Sequence, residues 1–360
     1  MVPTTATSIL WRPPPLFFTL PGPARRLLTF FSFRRQLRSL ARRYQPQLLV
    51  CYMYHALAAG GGLKRQFPGM FFLGGIVDIV SLRDAGLLDR WLIPIGTRAL
   101  QQADAVWSSD PFKAGLTARA ARLKRAPIVC YNCPTLAYLS EPTWPRDGWL
   151  RNELRKQGAT IGETGGSILL RAGAVGESGG IEETLEGMES LPADYIFVMM
   201  GRPAESYKNR LANRIEKLNL RQRAFLWDRP SDEIWQKALQ GADIGHLVHG
   251  PFRPGRMMRS FELNSSLSNN RLFQYMAAGL PIIAYDDPRM SALYSEVPCF
   301  RVTRLASLGA DIRAAWRELG GDPDSRHQLG KAGRKAHMDK YCWEKQFGPI
   351  QEAVNDCVMA

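Results

Sequence analysis

Hydrophobic and polar positions along the chain fall into two alternating kinds of segment. Short apolar runs, such as residues 48–52 and 194–200, have the length of buried strands, and longer stretches, such as 111–123 and 207–218, have helical spacing. The alternation occurs twice, on either side of residues 135–166, which are rich in proline, tryptophan, glycine and charge. The pattern predicts an α/β protein with two doubly wound, Rossmann-like domains that face each other across a cleft.

These patterns also predict domain boundaries. We place an N-terminal domain at residues 1–140, a linker at 141–166, a C-terminal domain at 167–340 and a final helix at 341–360. A chain of 360 residues is long enough for two domains with separate cores.

Charge adds a prediction about partners. The net charge of +14 and the pI of about 9.7 indicate an anionic partner. Much of the excess lies in residues 25–43, where arginine pairs alternate with leucine and phenylalanine at helical spacing. Such a helix suits an anionic membrane surface. The alternative is an amphipathic helix that packs on the core and leaves its arginines solvated.

The apolar runs and the N-terminal sequence bear on location. No run approaches the roughly 20 apolar residues that span a bilayer. The first 20 residues contain three prolines at 13–15 and no basic segment before the apolar part, unlike a signal peptide. We therefore expect a cytoplasmic protein, either soluble or peripheral on the inner face of the plasma membrane.

Cysteine and histidine spacing gives little support for a metal or redox site. The six cysteines do not suggest a disulfide framework, and the pair Cys130 and Cys133 has no second pair to complete a zinc site. His246 and His249 read as the end of a strand. We expect no metal and no cofactor.

The segment 266–285 carries the strongest chemical signal. Small polar residues lead into a predicted helix at 271–278, which Gly279 ends before a buried strand. Free amides at a helix start bind phosphate, and Arg271 in the first turn adds charge-assisted hydrogen bonds. The alternative is an ordinary capped core helix. In the binding hypothesis Arg271 lies outside the core.

This segment resembles the donor-binding signature of glycosyltransferase family four, through the run Ser268-Asn269-Asn270-Arg271-Leu-Phe-Gln274-Tyr-Met-Ala-Ala-Gly-Leu-Pro-Ile. The resemblance extends more weakly over residues 45–355. It implies a GT-B fold, a nucleotide-sugar donor as co-substrate, retention at the anomeric carbon and no metal. The order of elements, with a strand at 7–11, resembles the family's pattern from its third strand onward, so a first βα unit of about 40 residues is expected to be missing.

The resemblance assigns donor-binding roles by position. Asn270 and Arg271, with the amides of Ser268 and Asn269, would contact the diphosphate, and Gln274 stands where the family has a ribose-binding glutamate. Gly173 and Gly176 match the family's strand-to-glycine motif.

Two further donor contacts are expected, and for each of them the sequence leaves an alternative open. Trp227 would stack on the base, or belong to a surface turn. The loop after Gly176 lacks the basic residue of many relatives, so Arg202 would supply that charge. Other candidates for that charge lie in a basic loop that is equally typical of solvated surface: Arg253, Arg256 and Arg259.

Candidate catalytic residues follow predicted strands or lie near the signature. His55 and Asp78 come after strands of the first domain, and Glu262 precedes the signature. Each could orient or deprotonate an acceptor hydroxyl, although polar residues at strand ends commonly form caps or turns. The arginine-rich segment suggests a saccharide or lipid-linked acceptor at a membrane surface, in polysaccharide or glycoconjugate synthesis.

Other classes fit less well. A dinucleotide-dependent oxidoreductase needs a G-x-G-x-x-G run after its first strand, and neither half opens with one. A nucleic-acid-binding protein would explain the charge but not the signature, so we expect no nucleic-acid partner. A catalytically impaired scaffold remains an alternative because of Gln274 and the short N-terminal domain.

Overall fold

A computed structural model describes residues 22–143, 146, 148–162, 165–228, 230–249 and 270–358. Contacts between residues divide the chain into two units. Within the described residues, the first unit contains 22–130 and 348–358, and the second contains the rest. This division differs from the boundaries expected at 140, 166 and 340. One reason is that Leu150, Leu154 and Ile161 are buried in the core of the second unit.

The first unit is built on a parallel sheet with the strand order β1-β2-β3-β4. Its strands are β1 (Leu48–Tyr52), β2 (Phe71–Ile76), β3 (Ala105–Ser108) and β4 (Ile128–Val129). Its helices are α1 (Gly22–Tyr44), α2 (Met53–Gly60), α3 (Leu63–Gln66), α4 (Leu87–Ala99) and α5 (Pro111–Ala121).

Local sequence explains why α5 starts where it does. Asp110 is its N-cap and accepts a hydrogen bond from the Lys113 amide at 2.8 Å, while Pro111 occupies the first turn. The strand expected at residues 7–11 lies outside the described residues.

The second unit has a six-stranded parallel sheet in the order β10-β9-β8-β5-β6-β7. Its strands are β5 (Ser167–Ala172), β6 (Tyr195–Gly201), β7 (Ala224–Asp228), β8 (Ile244–Leu247), β9 (Ile282–Tyr285) and β10 (Phe300–Thr303). Its helices are α6 (Trp149–Lys156), α7 (Ile181–Gly187), α8 (Glu205–Lys217), α9 (Asp232–Gly241), α10 (Asn270–Ala277), α11 (Ser291–Glu296), α12 (Leu308–Gly321) and α13 (Pro323–Asp339). The last helix, α14 (Trp343–Val358), begins in this unit and ends in the first.

The strand order of the second unit locates its binding edge. Two hydrophobic clusters lie on the two faces of the sheet, and every residue of β5 and β6 is buried. The direction of winding reverses between β5 and β8, which pair with Leu169 opposite Ile244. In doubly wound sheets, ligands bind beside such a reversal, at the carboxyl ends of the strands.

Candidate functional site

The loop after β5 passes very close to neighbouring segments. Gly173 has φ +135°, and a Cβ atom there would lie 2.7 Å from Cδ and 2.8 Å from Nε of Arg271. Gly201, at the end of β6, has φ +156°, and its added Cβ would overlap the Gly173 carbonyl oxygen. Both positions therefore need glycine for space as well as for backbone conformation.

Tyr275 fixes α10 against the end of β5. Its hydroxyl donates to the Leu170 carbonyl at 3.0 Å and accepts from the Ala172 amide at 2.8 Å. Gly245 in β8 leaves room for the ring, since a Cβ there would lie 2.6 Å from it. Residues four apart share a helix face, so this anchor directs Arg271 toward Gly173.

Arg271 itself is buried, with 7% of its surface exposed. The expectation that it lies outside the core is therefore wrong. The glycine at position 173 explains the difference, because the arginine side chain occupies the space that a side chain there would fill. Burial lowers the pKa of the Arg271 guanidinium.

A second buried arginine, which the sequence analysis did not select, lies under the same loop. Arg171 Nη1 donates to the carbonyl oxygens of Gly179 at 2.8 Å and Val248 at 2.9 Å. Its Nε donates to the Ala174 carbonyl at 3.1 Å. Desolvation, and then the charge of Arg271, hold its pKa well below the usual value. In the sequence, the signal for Arg171 was that it is the single charged residue within an apolar strand.

His246 belongs to this network as a neutral side chain. Its Nδ1 lies 3.1 Å from Arg171 Nη1, which can only donate, so Nδ1 accepts. The proton is therefore on Nε2, 3.0 Å from the Thr184 hydroxyl, which itself donates to the Gly180 carbonyl at 2.6 Å. Desolvation and the charges of Arg171 and Arg271 place its pKa well below normal.

The binding edge is strongly positive. Desolvation, followed by the charges of Arg271 and Arg171, also lowers the pKa of the buried His249. Nearby carboxylates have other partners: Glu177 and Glu182 both pair with Arg210, at 2.7 and 3.0 Å. In the described part of the chain, Arg171 forms no ion pair with a carboxylate. This edge is suited to an anionic ligand.

The remaining donor candidates differ in their surroundings. Arg202 and Asn270 are exposed, and a Cβ at Gly176 would meet nothing within 4 Å. Gln274 Nε2 donates to the Tyr138 hydroxyl at 3.1 Å, in a partly buried position.

Trp227 has partners within its own unit. Its indole nitrogen donates to Gln157 Oε1 at 3.1 Å, and its ring packs edge-on against Trp149. Several sequence candidates lie outside the described residues: Glu262, Ser268, Asn269, Arg253, Arg256 and Arg259.

In the first unit, His55 lies at the start of α2 and pairs with a carboxylate that the sequence analysis missed. Its Nε2 is 2.7 Å from Asp89 Oδ1 of α4. The two side chains line a cavity of about 740 Å³ together with Arg25, Arg26 and Tyr52. A polar pair in a cavity of this size can bind and orient a hydroxyl group.

Asp78 lies in the same unit, just beyond β2, with 58% of its side chain exposed. The fully buried Lys113 places its ammonium 3.4 Å from Asp78 Oδ1 and donates to the Val77 carbonyl at 2.7 Å. A cation therefore holds one face of this carboxylate.

Known structures share this fold. Sucrose-phosphate synthase from Thermosynechococcus elongatus aligns with a TM-score of 0.67 and 17% identity, over 91% of this chain and 78% of that one. HepE from Anabaena, solved in complex with UDP, aligns with a TM-score of 0.68 and 14% identity, over 90% and 82%. WaaG, a glycosyltransferase involved in lipopolysaccharide biosynthesis, gives 0.54 and 12%, over 84% and 82%.

These similarities confirm the predicted fold class, a GT-B architecture with two Rossmann-like domains. No protein-family model and no curated protein sequence matches the chain.

Proposed function

We propose that this chain is a glycosyltransferase that moves a sugar from a nucleoside-diphosphate sugar to a saccharide or lipid-linked acceptor. The observation that carries the proposal is the positive edge at the strand reversal of the second unit, where Arg271 lies against Gly173 above the buried Arg171. HepE was also solved with UDP-glucose, which supports a nucleotide-sugar donor.

The arrangement suits a diphosphate leaving group. Transfer passes through an oxocarbenium-like state, and negative charge builds on the departing diphosphate. Positive groups that are already fixed stabilise that charge without reorganising. Arg271 would act on the phosphates directly, whereas Arg171 would act from below by holding the loop 173–180. Gln274 would donate or accept a hydrogen bond at the ribose.

For the acceptor, we favour His55 over Asp78. Asp89 holds the His55 ring in one orientation at 2.7 Å, and the pair opens onto the 740 Å³ cavity. Asp78 already faces the ammonium of Lys113, which occupies one side of its carboxylate. His55 would accept the hydroxyl proton or orient the acceptor.

We further propose that the first unit works at an anionic membrane surface, on its cytoplasmic side. Five apolar side chains are exposed on two helices, and this apolar patch consists of Leu27, Leu28 and Phe31 of α1 with Leu87 and Trp91 of α4. The rings of Phe31 and Trp91 lie 6.0 Å apart. No helix in the described ranges is long and apolar enough to cross a membrane, so the proposal is of surface attachment.

The charge around the apolar patch supports an anionic surface. Helix α1 carries arginines at 25, 26, 34, 35, 38, 42 and 43. None of these arginines forms an ion pair with a carboxylate of the described residues. Exposed apolar side chains on a helix that also carries arginines without carboxylate partners are typical of interfacial helices.

The reaction's stereochemistry and metal requirement remain predictions from the resemblance. We propose retention at the anomeric carbon and activity without a divalent metal. NMR of the product anomer, and assays with and without a chelator, test both.

A thermal-shift screen with UDP, GDP, ADP and CMP derivatives tests the donor site. A ligand at 100 times its Kd should stabilise the protein by about 2.7 kcal/mol. Arg271→Met removes the charge and keeps most of the volume. We expect it to weaken binding by about 1.5–3 kcal/mol, the range for hydrogen bonds to charged groups.

The control for that experiment is Arg221→Met, which removes an exposed arginine paired with Glu216. Equal nucleotide affinity in both folded variants, or no stabilisation by any nucleotide, contradicts the proposal.

A binding protein without turnover is the second candidate. Two features favour it: the loop 173–180 contains no basic residue, and Gln274 replaces the glutamate that the resemblance leads us to expect. This candidate predicts nucleotide binding with neither sugar transfer nor donor hydrolysis when acceptor fractions are supplied.

A further inference from the structure

A separate cavity in the first unit has an apolar interior. It has a volume of about 430 Å³ and lies between α4 and α5, beside the end of β2. Its walls are largely aliphatic, with Ile76, Ile79, Val80, Ile93, Leu100 and Leu116 among them. The volume is within the range of about 300–1,000 Å³ that is usual for small-molecule sites.

Two polar groups in the wall indicate the chemistry of an occupant. Thr117 is 4% exposed, and within the described residues its hydroxyl oxygen has no hydrogen-bond partner. Arg98 lines the cavity, is exposed, and has no ion pair with any carboxylate that the structure describes. An apolar interior with a cation at its mouth matches an anionic amphiphile.

The cavity also lies close to one of the candidate acceptor residues. Its wall includes Ile76 and Ile79, which lie on either side of Asp78 in the chain. One end of a chain bound between α4 and α5 would therefore lie near the carboxyl end of β2.

We propose that this cavity binds the aliphatic chain of a lipid-phosphate acceptor, with Arg98 at the phosphate. The inference rests on the proposed function, since it specifies the acceptor of that reaction. It assigns the aliphatic chain of the acceptor to a site inside the first unit, distinct from the apolar patch of α1 and α4.

Binding of alkyl phosphates with four to twelve carbons to the full chain tests the proposal by calorimetry, below their micelle concentrations. Affinity should rise about fourfold per methylene until the cavity is full and then level off. Alkyl alcohols of equal length should bind at least tenfold more weakly, since they lack the charge that Arg98 meets.

Two variants and a shared control position locate the site. Ala120→Trp fills the cavity from an exposed position on α5, and we expect it to abolish the chain-length dependence. Arg98→Gln should reduce phosphate binding tenfold or more and leave alcohol binding unchanged. Arg119→Trp and Arg119→Gln are the controls, because Arg119 is exposed on the same helix but does not line the cavity.

The proposal is overturned if affinity does not depend on chain length, if Ala120→Trp and Arg119→Trp behave alike, or if the ligand only changes the oligomeric state. The nucleotide thermal shift, measured on the same samples, separates the two proposals. If nucleotides stabilise the unmodified protein but alkyl phosphates do not bind, only the lipid site is overturned. If neither nucleotide stabilisation nor alkyl phosphate binding is observed, the proposed function is overturned as well.

Discussion

Glycine positions around β5 show how single residues set the geometry of the candidate site. Gly173 and Gly176 are three residues apart, yet only Gly173 has a positive φ and a neighbour that would clash with a side chain. The resemblance treats both as one motif. The structure separates a glycine required for packing from one that tolerates a Cβ atom.

This difference predicts the outcome of a matched pair of variants. Gly173→Ala should destabilise the fold by about 1–2 kcal/mol or more, because L-residues avoid this backbone conformation, and it should weaken nucleotide binding by displacing Arg271. Gly176→Ala should change neither property. Urea unfolding and calorimetric titration of both variants measure the effects, and equal losses would show that the loop does not hold Arg271.

Which site residues the sequence could predict depends on where their signal lies. Arg271 and Gly173 each belong to a short local motif, so the resemblance identified them. Arg171, Asp89 and Tyr275 act through partners that are distant in sequence. Arg171 meets Val248, and Tyr275 meets Leu170, 105 residues away. Spacing within one segment contains no information about such pairs.

At the scale of elements, apolar runs such as 48–52 and 194–200 predicted strands that the structure has with small shifts at their ends, as Leu48–Tyr52 and Tyr195–Gly201, but the edge strand Phe300–Thr303 was not predicted. The edge strand β4 spans only Ile128–Val129, and a break separates α13 from the final helix α14. Short edge strands and helix breaks depend on packing neighbours, which periodicity does not register.

Helix α1 packs on the first unit and also exposes apolar side chains. Phe30 and Ala41 are buried against the first unit, whereas Leu27, Leu28 and Phe31 are exposed. The sequence could not reveal that Leu87 and Trp91 of α4 extend the exposed side, since these residues are about 60 positions away along the chain. The two helices together present more apolar surface than α1 alone.

Vesicle flotation tests the proposed attachment of α1 and α4 to a membrane surface. Replacing Arg25, Arg26, Arg34 and Arg35 with Gln should reduce flotation with anionic vesicles, because each basic residue contributes about 1 kcal/mol at such a surface. High salt should reduce the flotation of the wild-type protein to a similar extent, leaving a smaller apolar contribution from Phe31 and Trp91.

A control for flotation keeps the change in net charge equal. It replaces four exposed arginines of other segments with Gln: Arg65, Arg119, Arg125 and Arg221. If this control and the α1 variant lose flotation equally, net charge rather than α1 determines attachment. If wild-type protein does not float, α1 serves packing alone.

At the scale of the molecule, the second unit combines a long uninterrupted sheet with buried ionisable groups. Residues 131–162 join it through α6, where Arg151 forms a buried ion pair of 2.8 Å with Asp243. The sequence pattern suggested a linker at residues 141–166 because that stretch lacks sustained periodicity. The buried ion pair, together with the buried side chains of Leu150, Leu154 and Ile161, attaches the segment to the core.

The same unit contains three buried histidines whose pKa values burial lowers: His246, His249 and His337. His246 and His249, whose pKa values lie well below normal, stay neutral in the fold but take up a proton in the unfolded chain below the ordinary pKa of about 6.5. The unfolded state then binds more protons, so the free energy of unfolding falls as the pH drops below about 6.5 and is unaffected by these groups above it.

This linkage predicts a loss of stability in mild acid. His246 and His249, if they remain neutral, should together lower the unfolding free energy by about 2 kcal/mol between pH 6.5 and 5.5. Urea unfolding followed by circular dichroism at several pH values measures the slope. His246→Gln should reduce it by about one half, because the amide keeps an acceptor for Arg171 and a donor for Thr184 without titrating. An unchanged slope in that variant would mean that His246 becomes protonated within the fold, and the neutral assignment of His246 beneath the loop 173–180 would then be wrong.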